Sequence, residues 1–127
     1  MARIAISTDQ APKAIGPYSQ AIRAGSTVYL SGQIPLDPKT GELIGGSIEA
    51  QTRRAFENLK AVCAEAGGTM HQVVRVGVYL TDLSKFQQVN AVMAEFFHTP
   101  YPARSTIGVA ALPRGAHVEV DAILALD

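Results

Sequence analysis

Apolar positions recur along the chain at two different spacings. Ala55, Phe56, Leu59, Val62, Cys63 and Ala66 fall three or four residues apart, the period of one helical face. Ser47 stands where an N-cap belongs, and Gly67-Gly68 ends the pattern. A second helix is predicted after Ser84 and Gln87, which match a capping box. Phe86, Val89, Met93, Phe96 and Phe97 line one of its sides and Pro100 closes it.

Elsewhere the period shortens to two. "SQAIRAG" and "STVYLSGQ" read as strands joined by a hairpin at Gly25-Ser26, with "RIAIS" as a further candidate strand at the N-terminus. "VVRVGVYLT" places Val74, Val76, Val78 and Leu80 on one face. "RSTIGVAAL" and "HVEVDAILAL" are the last two strands, joined by the turn "PRGA", and "PLDPKTGELIGG" is a turn-rich loop. The order β-β-α-β-α-β-β predicts an α+β fold with both helices on one face of a sheet. Parity then assigns faces. Val118, Val120, Ala122, Leu124 and Leu126 point to the helices, and His117, Glu119, Asp121, Ile123 and Ala125 point away. Ile107 and Val109 are expected towards the helices, and Arg104, Thr106, Gly108 and Ala110 on the opposite face. Tyr29, Ser31 and Gln33 are expected together, opposite Val28 and Leu30. That mixed second face can meet water or another sheet, and periodicity does not choose.

Composition narrows the class. Apolar residues make up 47% of 127 residues and charged residues 17%, which fits one folded domain spanning 1–127 and no internal linker. The formal net charge is zero, which lacks the basic footprint of a general nucleic-acid binder. One cysteine, Cys63, excludes an intrachain disulfide, and its place on the helical stripe predicts a buried core residue. The N-terminus lacks the apolar run of a signal peptide, and no window approaches the roughly 20 apolar residues of a membrane span, so a cytoplasmic protein is expected. His71, His98 and His117 have no metal-ligand spacing, and "GELIGG" lacks the Lys-Ser/Thr ending of a phosphate loop.

Four stretches, "APKAIGPYSQA", "LSGQIPLDPKTGE", "VYLTDLSKFQQVNAVMAEFF" and "YPARSTIGVAALPRGAHVEVDAI", resemble the Rid family, the reactive intermediate deaminases also called YjgF or L-PSP proteins. The resemblance runs from about Ala11 to about Ile123. It implies a chorismate-mutase-like fold, one mixed sheet with two helices on one face, assembled as a homotrimer whose sheets form an inner β-barrel, with sites between subunits. It also implies hydrolysis of 2-iminobutanoate and 2-iminopropanoate to 2-oxo acids and ammonia, without cofactor or metal.

By this resemblance Arg104 holds the substrate carboxylate, a role suited to a planar guanidinium that cannot lose its charge. Periodicity alone favours instead a strand-end cation in solvent or paired with Glu119. Glu119 matches the family glutamate that positions or deprotonates water or handles the leaving amine's proton. Tyr18, Ser31, Gly32 and Asn90 match residues near the pocket. Thr106 departs from the family pattern, where cysteine is common. That rules out a thiol role and leaves its backbone amide as the binding group. Two other readings use the same residues or the family's older name: a non-catalytic trimer binding 2-oxo acids, and a ribonuclease or translation inhibitor.

Overall fold

The computed structural model describes residues 2–127. Strands β1 (Arg3–Ile6), β2 (Ala21–Ala24) and β3 (Thr27–Gln33) precede helix α1 (Ile48–Glu65). Strand β4 (Val73–Leu80), helix α2 (Phe86–Phe96), β5 (Ala103–Gly108) and β6 (Val118–Ala125) follow. The predicted hairpin forms, with Gly25 at φ +64 supplying the left-handed residue between β2 and β3.

Helix α1 starts as its sequence dictates. Ser47 is extended and its hydroxyl accepts a hydrogen bond from the Ala50 amide at 3.1 Å. Ala55, Phe56, Leu59, Val62 and Cys63 are then completely buried. Gly67, at φ +88, ends the helix in the left-handed region, and the Gly68 amide donates back to the Cys63 carbonyl. The capping box expected at Ser84 and Gln87 does not form. The Asp82 carboxylate accepts from the Ser84 amide and hydroxyl at 3.0 and 2.7 Å, a stronger acceptor than a serine hydroxyl. Residues 83–85 therefore make a 3-10 turn, and α2 begins at Phe86. The helices meet through Phe56, whose ring lies 5.4 Å from Phe96 and 5.7 Å, edge-on, from Phe97. On the exposed side a bidentate Arg53–Glu95 pair, at 2.9 and 2.7 Å, joins them.

The sheet runs β1-β2-β3-β6-β4-β5. Every pairing is antiparallel except β4–β5, which is parallel because α2 carries the chain across between them. Both helices pack on one face, over Val28, Leu30, Val76, Val78, Val118, Val120 and Leu124. This is the predicted α+β arrangement of one mixed sheet and two helices. The inner β-barrel and the chorismate-mutase-like designation are not upheld. Among the described residues β1 pairs only with β2 and β5 only with β4, so the six-stranded sheet is open at both edges. Closure would require those edges to pair.

Two bulges correct the predicted parity. On β3, Leu30 pairs with Ala122 and Gln33 with Val120, so Ser31 and Gly32 together oppose the single residue Asp121. Gln33 is thereby turned into the buried face, away from Tyr29. On β4, an extra residue between Val73 and Arg75 gives Val73 the core position expected for Val74, which is 48% exposed. Among the described residues no helix is long and apolar enough to cross a membrane.

Cys63 is fully buried, and burial pushes its thiol up to about 12. The native protein at pH 8 is therefore expected to resist thiol alkylation and to react fully once unfolded in guanidinium, as followed by mass spectrometry. Rapid native labelling would place Cys63 outside the core.

Candidate active site

Strand β6 lies between β3 and β4, and its alternate residues face opposite ways. Val118, Val120, Ala122 and Leu124 are buried beneath the helices, while Glu119 and Asp121 lie on the uncovered face. The Glu119 side chain occupies the space over Gly32, where a Cβ would overlap its carboxylate. The missing side chain and the β3 bulge together make room for this carboxyl. Burial, and then the charge of Asp121, raise the Glu119 pKa above the usual carboxylate value. A cavity of about 260 Å³ opens beside it, lined by Tyr18, Gly32, Lys13, Ile15 and Arg114 among others.

The segment carrying Tyr18 is held by a residue that the sequence did not single out. Gln20 is buried and clamps the chain before it, donating to the Pro12 carbonyl at 2.7 Å and accepting from the Thr8 amide at 2.7 Å. Tyr18 is half exposed, and its hydroxyl accepts from the Ile15 amide at 3.4 Å. Ser31 uses its hydroxyl structurally, donating to the Ser19 carbonyl at 2.6 Å. The bulge places its neighbour Gly32, rather than its side chain, against Glu119.

Arg104 sits elsewhere. Its pairing partner is Val76, and that of Thr106 is Val78, so both lie on the helix side of the sheet. Ala103, Ser105 and Ile107 take the uncovered face with Arg75 and Tyr79. This reverses the predicted parity of β5. An edge strand exposed on both faces has no apolar alternation to fix its register, which is set here by parallel pairing to β4. The Arg104 guanidinium rests on α2. Nη1 donates to Asn90 Oδ1 at 2.5 Å and approaches Met93 Sδ at 3.5 Å, and its carbon stands 5.1 Å from the Phe86 ring centroid. Phe86, Asn90 and Met93 recur at helical spacing and form the seat. Phe86 and Met93 were legible only as core positions. A cavity of about 440 Å³ adjoins, lined by Arg104, Asn90, Met93, Ala94, Tyr101 and Pro102. Among the described residues no carboxylate pairs with Arg104, and the ion pairs are Arg53–Glu95 and Arg54–Glu57.

The free edge adds donors. The Val109 amide bonds to the Leu80 carbonyl at 2.9 Å. By strand alternation Ile107 and Ser105 also turn their amides to β4, and Thr106 and Arg104 turn theirs outward. Among the described residues the buried Thr106 hydroxyl has no partner. The chain thus gathers the predicted residues into two groups: Arg104, Asn90 and Thr106 at the β5 edge, and Glu119, Tyr18, Gly32 and Ser31 at the β3–β6 face. Among the described residues no cluster of three or more His, Cys, Asp or Glu could hold a metal.

The family model described as Endoribonuclease L-PSP matches residues 8–126. The chain belongs to the Rid family. Protein DfrA of Myxococcus xanthus is 56% identical over 97% of this chain and 95% of its own length. A 2-iminobutanoate/2-iminopropanoate deaminase of Dermatophagoides farinae is 48% identical over 96% of this chain and 95% of its own. The crystal structure of a Rid protein, RidA from the Antarctic bacterium Psychrobacter, superimposes with a TM-score of 0.93 at 50% identity, covering 96% of this chain and 98% of that one.

The raised Glu119 pKa has a sign that stability measurements read. A folded-state pKa above the usual 4.5 means that folding disfavours the ionised carboxyl, so stability falls as pH rises through the folded value. Glu119→Gln is therefore expected to be more stable than wild type to urea at pH 7, with the difference vanishing below about pH 4. A less stable variant at pH 7 would mean that the carboxylate is favourably paired.

Proposed function

We propose that this protein hydrolyses 2-imino and 2-enamino acids, 2-iminobutanoate and 2-iminopropanoate among them, to 2-oxo acids and ammonia without a cofactor. The observation that carries this reading is the state of Arg104. It is a permanent cation with no carboxylate partner among the described residues, seated on Asn90, Met93 and Phe86 beside outward-facing amides of a free strand edge. Such a fork suits a carboxylate that arrives with the substrate. The deaminase relative named above supplies the class of substrate.

An enamine first tautomerises to its imine. Arg104 and the Thr106 amide hold the carboxylate, and water adds to the imine carbon to give a carbinolamine. Expulsion of ammonia leaves the 2-oxo acid. Glu119, with its pKa raised by burial and by the Asp121 charge, can exchange protons with the water and the nitrogen. These steps need positioning and proton transfer rather than metal or redox chemistry.

The two residue groups lie on different faces of one sheet, so a single copy does not bring Arg104 to Glu119. A homotrimer in which the β5 edge of one copy meets the Glu119 cavity of the next would complete the site. The uncovered face supports this, because it exposes Tyr29 and Ile107 by about half. The same reading treats residues 1–127 as one Rid domain acting in the cytoplasm.

The test generates 2-iminobutanoate in situ with a threonine dehydratase and follows its loss. Wild type is expected to accelerate hydrolysis, and Arg104→Ala to lose about 100-fold in kcat/KM. Equal rates for the two would overturn the anchor, and ligand binding without acceleration would favour a non-catalytic receptor. Mixing unfolded Arg104→Ala and Glu119→Ala chains and refolding them together should restore part of the activity. Failure to do so, or a stable monomer in sedimentation at micromolar concentration, would overturn the shared site.

A further inference from the structure

Glu119 does not stand alone on the uncovered face. Asp121, the next residue on that side of β6, lies over Gly77 of β4, where a Cβ would overlap its carboxylate and come within 2.8 Å of the Tyr79 hydroxyl. Tyr79 pairs across the ladder with Glu119, yet its hydroxyl donates to Asp121 Oδ2 at 3.1 Å. The two carboxylates therefore diverge from one strand, Glu119 over Gly32 and Asp121 over Gly77, each in a space left by a missing side chain. The Asp121 carboxylate is tied at one oxygen, whereas no hydrogen bond fixes that of Glu119 among the described residues.

The geometry points to Asp121 and Tyr79 as positioning residues of the deamination. Tyr79 pins the Asp121 carboxylate on the same face of β6 as Glu119, and that fixed negative charge makes Glu119 the carboxyl that carries the proton to the departing nitrogen. The inference rests on the deaminase reading. In the carbinolamine the Glu119 carboxyl gives its proton to the amino nitrogen and the C–N bond breaks, its electron pair leaving with ammonia. The hydroxyl oxygen closes the C=O bond and returns its proton to the Glu119 carboxylate, so the glutamate ends as it began. The Asp121 charge disfavours ionisation of Glu119, and the two residues divide their roles because only Asp121 has a donor attached. Burial, together with the Asp121 charge, also holds the Tyr79 phenol above its usual range, so it remains a donor at neutral pH.

Other charged and titratable groups face this pair. Tyr79 and Arg75 come from β4, with Arg75 turned to Ser105 at 3.2 Å. Tyr29 comes from β3, His117 precedes β6, and Lys13, Tyr18 and Arg114 line the Glu119 cavity. The cations oppose the influence of Asp121 on Glu119. They are the same in wild type and in an Asp121 variant, so they do not alter the sign of the difference.

The test follows the Glu119 side-chain carboxyl by carbon-13 NMR titration and, separately, the pH dependence of kcat/KM for 2-iminobutanoate. Asp121→Asn is expected to lower the Glu119 midpoint and to move the alkaline limb of the rate profile down with it by the same shift. Asp121→Glu should restore both, and Tyr79→Phe should fall between wild type and Asp121→Asn. If Asp121→Asn fails to fold, Asp121→Ser carries the same expectation. An unmoved midpoint with an unmoved limb overturns the inference, as does a midpoint that rises. If wild type does not accelerate imine loss, the deaminase reading fails, while the NMR titration still reports whether Asp121 governs Glu119.

Discussion

The two-residue alternation of β6 is the constraint on which the rest of the molecule depends. This strand has a neighbour on each side and one apolar face, so a one-residue slip would exchange four buried side chains for Glu119 and Asp121. Because that slip is prohibitive, both carboxylates are fixed on the uncovered face as firmly as the core is fixed beneath the helices. The placement of both carboxylates is a by-product of core packing, and it needs no separate scaffold.

The partners of β6 adapt to it. β3 inserts a bulge at Ser31-Gly32, which turns Gln33 into the core and leaves Glu119 a place without a side chain. β4 inserts its own extra residue near Val74 and leaves Gly77 under Asp121. Bulges commonly re-aim side chains at functional positions, and both of these lie where the uncovered face carries its polar groups or begins to do so. β5 stands outside this scheme. It inherits its register from β4 alone and delivers Arg104 to the other side.

The sequence made the helices, the hairpin and the parity of β6 legible, because each carries an apolar period that burial enforces. Ser47, Gly67-Gly68 and the run from Val118 to Leu124 are examples. The bulges were not legible, since an extra residue in a strand leaves the composition unchanged and only its partner reveals it. Nor was the face of Arg104, because β5 is exposed on both sides and has no burial to declare its phase. The Rid motifs named Arg104, Glu119, Tyr18, Ser31, Gly32, Asn90 and Thr106 as a site between subunits, but not which of them one chain holds together. Asp82 displaced the predicted cap for a local reason: a carboxylate two residues upstream of Ser84 is the better acceptor.

The burial of Cys63 has a chemical meaning beyond packing. Imines and the enamines that precede them are electrophiles or their tautomers, and a thiolate is the side chain most ready to attack such species. This chain has one thiol, on the stripe of α1 that faces the core, and burial keeps it neutral. Burial thus keeps the chain's one thiol both out of reach and un-ionised. The helix that builds the core also withholds the most vulnerable nucleophile from the compounds the protein removes.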